Sequence, residues 1–188
     1  GINLSDSKTG IAVDTAKIKY NDGTKVSGSN TDSFSGLATI TTPKGGEYNI
    51  VLSDGTKVWL NAASTLTFAT SLRERGEDKR RVTLSGEAYF EVSKDKSRPF
   101  VVKVGHQEIL VLGTHFNINA YEAKEVIKTT LLEGAVRVIS LKKDGTLRKS
   151  NLKPGEQAIS SEAATLIRKA DVELELAWKN GKIQFENA

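Results

Sequence analysis

The chain has 188 residues, of which 38% are hydrophobic, and its 27 Lys and Arg against 23 Asp and Glu give a formal charge of +4. This length fits one domain, or one domain with an appendage. The absence of Cys excludes disulfides, thiolate metal sites and Cys nucleophiles. No apolar run approaches the roughly 18 residues of a membrane span. The chain starts at Gly1 and contains no Met, so we expect a fragment processed or excised from a longer protein.

The positive charge is dispersed along the chain. Its densest patch, residues 73–81, contains three acids among five bases. A nucleic-acid surface would carry basic residues without that dilution and with stacking aromatics. We therefore expect a solvated loop at 73–81 and no nucleic-acid partner.

Alternation of apolar and polar residues predicts strands along most of the chain. In the polar segment 1–43, short strands are expected near 11–13, 18–20 and 39–42, with a loop at 28–36. Denser strands follow at 48–52, 56–61, 81–92, 100–104, 109–121, 126–140 and 157–160, with breaks at Gly86, Gly113 and Gly134. Near the end, a spacing of four predicts a short helix over 171–178 with Asp171 as its N-cap, followed by a strand at 182–185.

The stretch Leu52–Asn61 predicts a tight turn that feeds a strand. The Asp54 side chain can accept hydrogen bonds from the backbone N–H groups that follow it in the chain, and Gly55 supplies the positive φ of the turn. A close copy of Asp54–Val58 begins at Asp22, 32 residues earlier.

A loose repeat places a leucine before each corner of the chain. The leucines are Leu52, Leu84, Leu112, Leu132 and Leu152, which are 32, 28, 20 and 20 residues apart. Such recurrence fits a solenoid, but short strands with Gly turns give similar spacing in a sandwich. We therefore predict an all-β fold, either solenoid-like and irregular or a twisted two-sheet sandwich of short strands, with a short C-terminal helix that leads to a missing domain.

The residues that could carry chemistry are sparse. His106 and His115 stand alone, whereas metal sites usually need three or more ligands. Glu87 and Glu91 lie about 13 Å apart along one strand at roughly 3.3 Å per residue, outside the ~5–9.5 Å of glycosidase carboxylate pairs. The sequence therefore favours a protein that is not an enzyme and has no metal or cofactor.

The aromatic residues allow two interpretations. Trp59, Tyr89, Tyr121 and Trp178 could form a platform on which sugar rings stack. We favour the other interpretation, in which Trp59, flanked by Val58 and Leu60, lies in the core or between sheets. In that case Trp59→Ala should cost roughly 3–5 kcal/mol.

Six sequence pieces, in order, resemble the periplasmic domain of FecR-type anti-sigma factors of the Bacteroidetes kind. They begin with Gly-Gly-Glu-Tyr at 45–48 and Asp-Gly-Thr-Lys-Val-Trp-Leu-Asn at 54–61, continue through Gly-Glu-Ala-Tyr-Phe-Glu-Val at 86–92, and end with Pro-Gly-Glu-Gln at 154–157. The match covers about 44–159. The residues expected to determine the fold are Asp54, Gly55, Thr56, Trp59, Asn61, Gly86, Glu87, Phe90, Pro99, Phe100, Gly113, Thr114, Phe116, Gly134, Pro154, Gly155 and Trp178.

The resemblance implies a signalling role. Such proteins hold an extracytoplasmic-function sigma factor through a cytoplasmic segment that is absent here, and they cross the inner membrane once. Their periplasmic region receives the signalling domain of a TonB-dependent outer-membrane transducer. The chain would then comprise an N-terminal periplasmic extension (1–43), a FecR-like all-β domain (44–160) and a hinge with the start of a further domain (161–188). The alternative is a carbohydrate-binding β-module.

Overall fold

Strands make up most of the computed structural model, which describes residues 10–14, 17–20, 22, 24, 36–72, 78–121, 126–142 and 144–180. The one helix in these ranges is α1 (Val172–Glu175). The strands are β1 (Gly10–Asp14), β2 (Lys17–Tyr20), β3 (Leu37–Thr41), β4 (Tyr48–Val51), β5 (Lys57–Leu60), β6 (Thr65–Ala69), β7 (Arg80–Glu91), β8 (Phe100–Val104), β9 (Gln107–Val111), β10 (His115–Ala120), β11 (Ile127–Glu133), β12 (Val136–Leu141), β13 (Leu147–Leu152), β14 (Glu156–Ser160) and β15 (Thr165–Lys169).

The long strand β7 belongs to two sheets. Sheet 1 has the order β2-β1-β4-β5-β7-β10-β11-β14-β15, and sheet 2 has the order β3-β6-β7-β8-β9-β12-β13. The first half of β7 pairs with β6 and β8, and its second half pairs with β5 and β10. Neighbouring strands are antiparallel except for the pairs β1/β4 and β7/β8.

Gly86 lies where β7 passes from sheet 2 to sheet 1. Its φ is +91°, and a Cβ at this position would lie 2.3 Å from Ser64 Oγ. A side chain here would meet both an unfavourable backbone conformation and a clash. The sequence therefore needs glycine at the point where one strand serves two sheets.

The core lies between the two sheets and is one cluster of buried apolar side chains. At its centre, Phe90 stacks on Phe116 with ring centroids 5.0 Å apart, and Phe90 lies 6.2 Å from Phe100 of sheet 2. All three are fully buried. Burial of one face of each strand explains the period-2 alternation of the sequence.

The all-β prediction is confirmed, and two packed sheets that share β7 correspond to the twisted two-sheet alternative. Three strands were not predicted: β6, β13 and β15. The helix is shorter than expected, but Asp171 is its N-cap and accepts the Leu174 N–H at 3.1 Å. Leu112 is 41% exposed, so its role as an apolar anchor is wrong. The predicted loop at 28–36 lies almost wholly, and the strand at 182–185 entirely, outside the described residues.

Candidate interaction face on sheet 1

A row of polar and aromatic side chains crosses the outer face of sheet 1, opposite the core. Cross-strand pairing aligns it through six strands: Trp59, Tyr89, Asn117, Thr130, Gln157 and Arg168. Hydrogen bonds join part of this row, since Gln157 Nε2 donates to Thr130 Oγ1 at 2.9 Å and Arg168 Nη2 donates to Gln157 Oε1 at 3.0 Å. Asn117, Thr130 and Gln157 are almost fully buried, although the outer face of an antiparallel sheet is ordinarily solvated.

The segment 171–180 packs against this outer face. α1 lies against β11, and Leu176 and Ala177 are buried after it. Trp178 is partly buried, and its Nε1–H has no hydrogen-bond partner among the described residues. The chain's own C-terminal segment therefore takes the place of solvent on this face.

Lys179 fixes the segment through two aromatic rings. Its Nζ lies 4.5 Å from the ring centroids of both Trp59 and Tyr89, which are themselves 5.5 Å apart. Such cation–π contacts contribute about 0.5–1 kcal/mol each at exposed sites and more when desolvated. Burial, reinforced by Glu91 and Glu133, raises the pKa of Tyr89 to about 12, so its hydroxyl stays neutral.

Glu87 holds a buried polar network beside the row. Its carboxylate accepts Asn117 Nδ2 and Asn61 Nδ2, both at 2.9 Å, and its backbone N–H donates to Ser64 Oγ at 2.9 Å. Burial raises the pKa of Glu87, and the nearby charge of Glu175 on α1 raises it further. The network therefore ties the end of the stretch Leu52–Asn61 to β7.

Asp54 forms a buried ion pair that the sequence did not suggest. Its Oδ1 accepts the Thr56 N–H at 2.9 Å, and its Oδ2 accepts Arg80 Nη1 at 2.8 Å. Arg80 is 1% exposed, donates to the carbonyls of Ser93 and Arg98, and covers the Phe100 ring at 5.4 Å. The interpretation of residues 73–81 as a solvated loop is therefore wrong at Arg80, which begins β7; residues 73–77 lie outside the described part.

The core placement favoured for Trp59 is also wrong. Val58 and Leu60 are buried on the core side of β5, and the alternation of the strand puts Trp59 on the outer face, where it is partly buried. Its apolar neighbours in sequence suggested a core residue, but in a strand the neighbours of an outward residue are the ones that face inward.

The remaining residues that we expected to determine the fold are four glycines in turns and three other residues, Pro99, Thr114 and Pro154. The turn glycines Gly55, Gly113, Gly134 and Gly155 all have positive φ. Around them, Thr114 Oγ1 donates to the Ala135 carbonyl at 3.1 Å, the Pro99 carbonyl accepts the Arg80 N–H at 2.9 Å, and Pro154 lies in the exposed turn before β14. Their importance for folding stays a prediction.

The two histidines lie apart, His106 in the β8–β9 turn and His115 in β10, where its Nδ1 is 3.3 Å from Glu133 Oε2. Among the described residues, no group of three or more His, Asp or Glu could hold a metal ion. No helix in the described ranges is long and apolar enough to cross a membrane.

Comparison with known proteins identifies the family. The sequence profile of the FecR protein family matches residues 38–137, which is more than half of the chain. The chain belongs to the FecR protein family. The matched range begins within β3, contains β4 to β11 and the Trp59–Tyr89 pair, and ends within β12, whereas Lys179 lies beyond it.

Two crystal structures share the architecture of this FecR domain. Both are of a candidate anti-sigma factor from Parabacteroides distasonis ATCC 8503, at 2.50 and 1.65 Å resolution. Each has 31% sequence identity and a TM-score of 0.68, with 77% of this chain and 65% of the other chain covered. The chain thus spans less than two thirds of the length of those proteins. A search of the curated proteins found no match.

Proposed function

We propose that this FecR domain is the periplasmic sensor and signal-relay domain of an anti-sigma factor. In this proposal, the parent protein regulates an extracytoplasmic-function sigma factor in response to a TonB-dependent outer-membrane transducer. The sigma factor is held by a cytoplasmic segment outside this chain, and a single membrane helix outside this chain anchors the parent protein in the inner membrane. The family membership and the likeness to a candidate anti-sigma factor support this role.

The observation that carries the relay is the fixed segment 171–180. Lys179 lies on Trp59 and Tyr89, while Leu176 and Ala177 are buried close by. A shift within sheet 1 would therefore move the residues that follow, which act in this proposal as the hinge toward a further domain. For such a link to relay a signal, the segment 171–180 must have two accessible positions, one with Lys179 on the two rings and one with Lys179 away from them.

The proposed partner is the transducer's periplasmic signalling domain. Several strands pair on one side only within the described residues, namely β2, β3, β13 and β15. An edge strand can accept a strand from a partner, since one of its sides is not paired with another strand of the sheet. We therefore expect binding through sheet contacts, without a cofactor.

The test combines a titration with a reporter. In the titration, the 188-residue chain is mixed with the periplasmic signalling domain of each TonB-dependent transducer of the host. In the reporter assay, the full parent protein carries Lys179→Glu, which places a carboxylate over the two rings, and sigma-dependent transcription is measured with and without the signalling domain. Lys96→Glu, an exposed position between β7 and β8 and on none of these edge strands, is the matched control.

We expect saturable binding of one transducer domain and a changed response for Lys179→Glu but not for Lys96→Glu. If no signalling domain binds and deletion of this domain from the parent leaves the response unchanged, the proposal is wrong. If binding is intact but both variants respond like wild type, the segment 171–180 is not the relay.

The carbohydrate-binding alternative loses its main support. A sugar platform needs open aromatic faces, but Tyr89 is 4% exposed and Trp59 is covered by Lys179. Tyr121 is 46% exposed, and its hydroxyl donates to the Ala62 carbonyl at 2.6 Å. Protection of Trp fluorescence by glycans would restore this alternative.

A further inference from the structure

A groove of about 630 Å³ lies on the outer face of sheet 2, on the opposite side of the molecule from the segment 171–180. Its walls come from four neighbouring strands, β8, β9, β12 and β13, and from the β8–β9 turn. None of the residues placed in the signal relay lines it. The groove is therefore a separate surface of the domain.

The floor of the groove is apolar and open. Leu141 and Leu147 face each other directly across β12 and β13, and they are 52% and 59% exposed. Ile139 continues this floor two residues back along β12, on the same face, and is partly buried. Three aliphatic side chains side by side on an outer sheet face favour contact with another apolar group.

The rim of the groove is cationic. Among the residues that line it, Lys103 and Lys149 are cations and Glu108 is the one carboxylate. Arg81 and Arg137 lie further along the same face of the sheet. The carboxylate is already neutralised, because Arg81 Nη1 lies 3.2 Å from Glu108 Oε1.

The two lysines of the rim remain available. Within the described residues, neither Lys103 nor Lys149 forms an ion pair. Asp144, at the nearby β12–β13 turn, directs its carboxylate to the N–H and hydroxyl of its own turn residue Thr146. The groove therefore presents two lysines that form no ion pair beside an apolar floor, and Lys103 lies across from Glu108, whose carboxylate is paired with Arg81.

Strand register gives the spacing of these charges. Lys103, Glu108, Ile139 and Lys149 are paired in sequence across the four strands. Three strand intervals of about 4.8 Å separate the backbones of the two lysines by about 14 Å. In an extended peptide, residues i and i+4 are about 13 Å apart and residue i+2 points to the same side. The midpoint of this line falls between Glu108 and Ile139, and Leu141 and Leu147 lie two residues further along β12 and β13. Two carboxylates four residues apart, with an apolar residue between them that reaches Ile139 and its leucine neighbours, would match the groove.

We propose that this groove binds an extended segment of a partner protein that carries carboxylates at i and i+4 and an apolar side chain at i+2. The carboxylates lie against Lys103 and Lys149, and the apolar side chain lies on Ile139, Leu141 and Leu147. Charge complementarity selects the segment and the apolar floor holds it. The inference rests on the proposed function in one respect, namely that the domain is a protein-interaction module, and it names the surface and the chemistry of the partner.

The probe is a capped peptide with the core Glu-Ser-Leu-Ser-Glu between Gly-Ser flanks. It is titrated into the isotopically labelled 188-residue chain, and binding is followed by NMR shift changes. Two comparison peptides carry Lys in place of Glu, or Ser in place of Leu. The groove variant is Lys103→Glu combined with Lys149→Glu, and the matched control is Lys128→Glu, an exposed lysine on sheet 1.

We expect shift changes around the groove, and a loss of affinity of about tenfold or more in the groove variant, which corresponds to about 1.4 kcal/mol or more. The control variant should bind like wild type, and both comparison peptides should bind more weakly. Melting curves establish that each variant is folded. No binding to wild type, equal binding of the Lys peptide, or unchanged affinity in the groove variant would each overturn the inference.

The same variants separate this inference from the proposed function. If a transducer signalling domain binds wild type and the groove variant equally, while the Glu peptide fails to bind, the groove is not the docking surface and the sensor role stands. If the peptide binds as expected and no signalling domain binds, the groove serves another acidic partner and the transducer proposal fails.

Discussion

The buried pair of Asp54 and Arg80 gives the sharpest test of how this fold is held together. In Arg80→Met the side chain keeps its apolar stem but loses the guanidinium. The Asp54 carboxylate, 3% exposed, would keep its two hydrogen bonds from Thr56 and lose the one cation that pairs with it among the described residues. Removal of one partner from a buried pair costs about 3–5 kcal/mol, because the remaining charge is left uncompensated.

This loss is a large part of the total stability of a domain, which is about 5–15 kcal/mol. For a domain of about 150–250 residues each kcal/mol shifts Tm by about 2–4 °C, so Arg80→Met should lower Tm by about 6–20 °C. Urea unfolding followed by Trp fluorescence measures the same change as a free energy of unfolding, provided that the m-value is unchanged.

The neighbouring residue supplies a matched control. Arg81 lies on the outer face, and its ion pair with Glu108 is about half exposed on each side. Exposed pairs contribute about 0–1 kcal/mol, so Arg81→Met should hardly change Tm. The double variant Asp54→Asn with Arg80→Met should recover part of the loss, since the uncompensated charge is gone. Equal effects of Arg80→Met and Arg81→Met would refute the assignment of Arg80 as a buried structural cation.

Three further predictions follow from the same contacts. Gly86→Ala should lower the free energy of unfolding by at least about 2 kcal/mol. Gly145→Ala should lower it by only about 1–2 kcal/mol, because φ is +79° there but no atom lies close to the added Cβ. Urea unfolding compares the two variants, and equal losses would contradict the close approach of Ser64 to Gly86. Burial raises the pKa of Glu87 above its ordinary value of 4.5, so the folded state binds the proton more tightly than the unfolded state does. The stability that protonated Glu87 contributes is therefore fully present below pH 4.5 and is lost as the pH rises through the pKa of the folded state. Glu87→Gln should remove this slope from the pH dependence of urea unfolding, and an unchanged slope would show that Glu87 is not its source. Trp59→Ala should lower the free energy of unfolding by about 1–2.5 kcal/mol, because the ring pair with Tyr89 and the cation–π contact with Lys179 are lost. Thermal unfolding measures this change, and a loss of about 3–5 kcal/mol would instead indicate that Trp59 is a core residue.

Local patterns sufficed for most of the strands. Alternation found β7, β10 and β11, and Asp171 was recognised as an N-cap. Two of the three strands that were missed have weaker signals, whereas β6 alternates regularly. β13 reads Leu-Arg-Lys-Ser-Asn-Leu and buries only its last residue, and β15 has no buried residue at all, so neither carries the period of a half-buried strand.

The three Asp-Gly-Thr turns show the limit of sequence reasoning most clearly. Asp22, Asp54 and Asp144 each accept the N–H and the hydroxyl of the Thr two residues later, as the motif predicts. Only Asp54 is also buried against an arginine, which lies 26 residues further along the chain. The local Asp–Thr hydrogen bonds are the same in all three, and the long-range pairing of strands decides which Asp becomes part of the core.

The sequence by itself thus determined the all-β character, the turn chemistry and the membership of the FecR family, because these depend on alternation and on residues close together in the chain. The tertiary structure alone decided that Arg80 is buried, that Lys179 lies on Trp59 and Tyr89, and that two lysines flank an apolar groove on sheet 2. Each of these contacts joins residues from strands or segments far apart in the chain, and the order and register of the sheets, which bring them together, are not encoded in any local pattern.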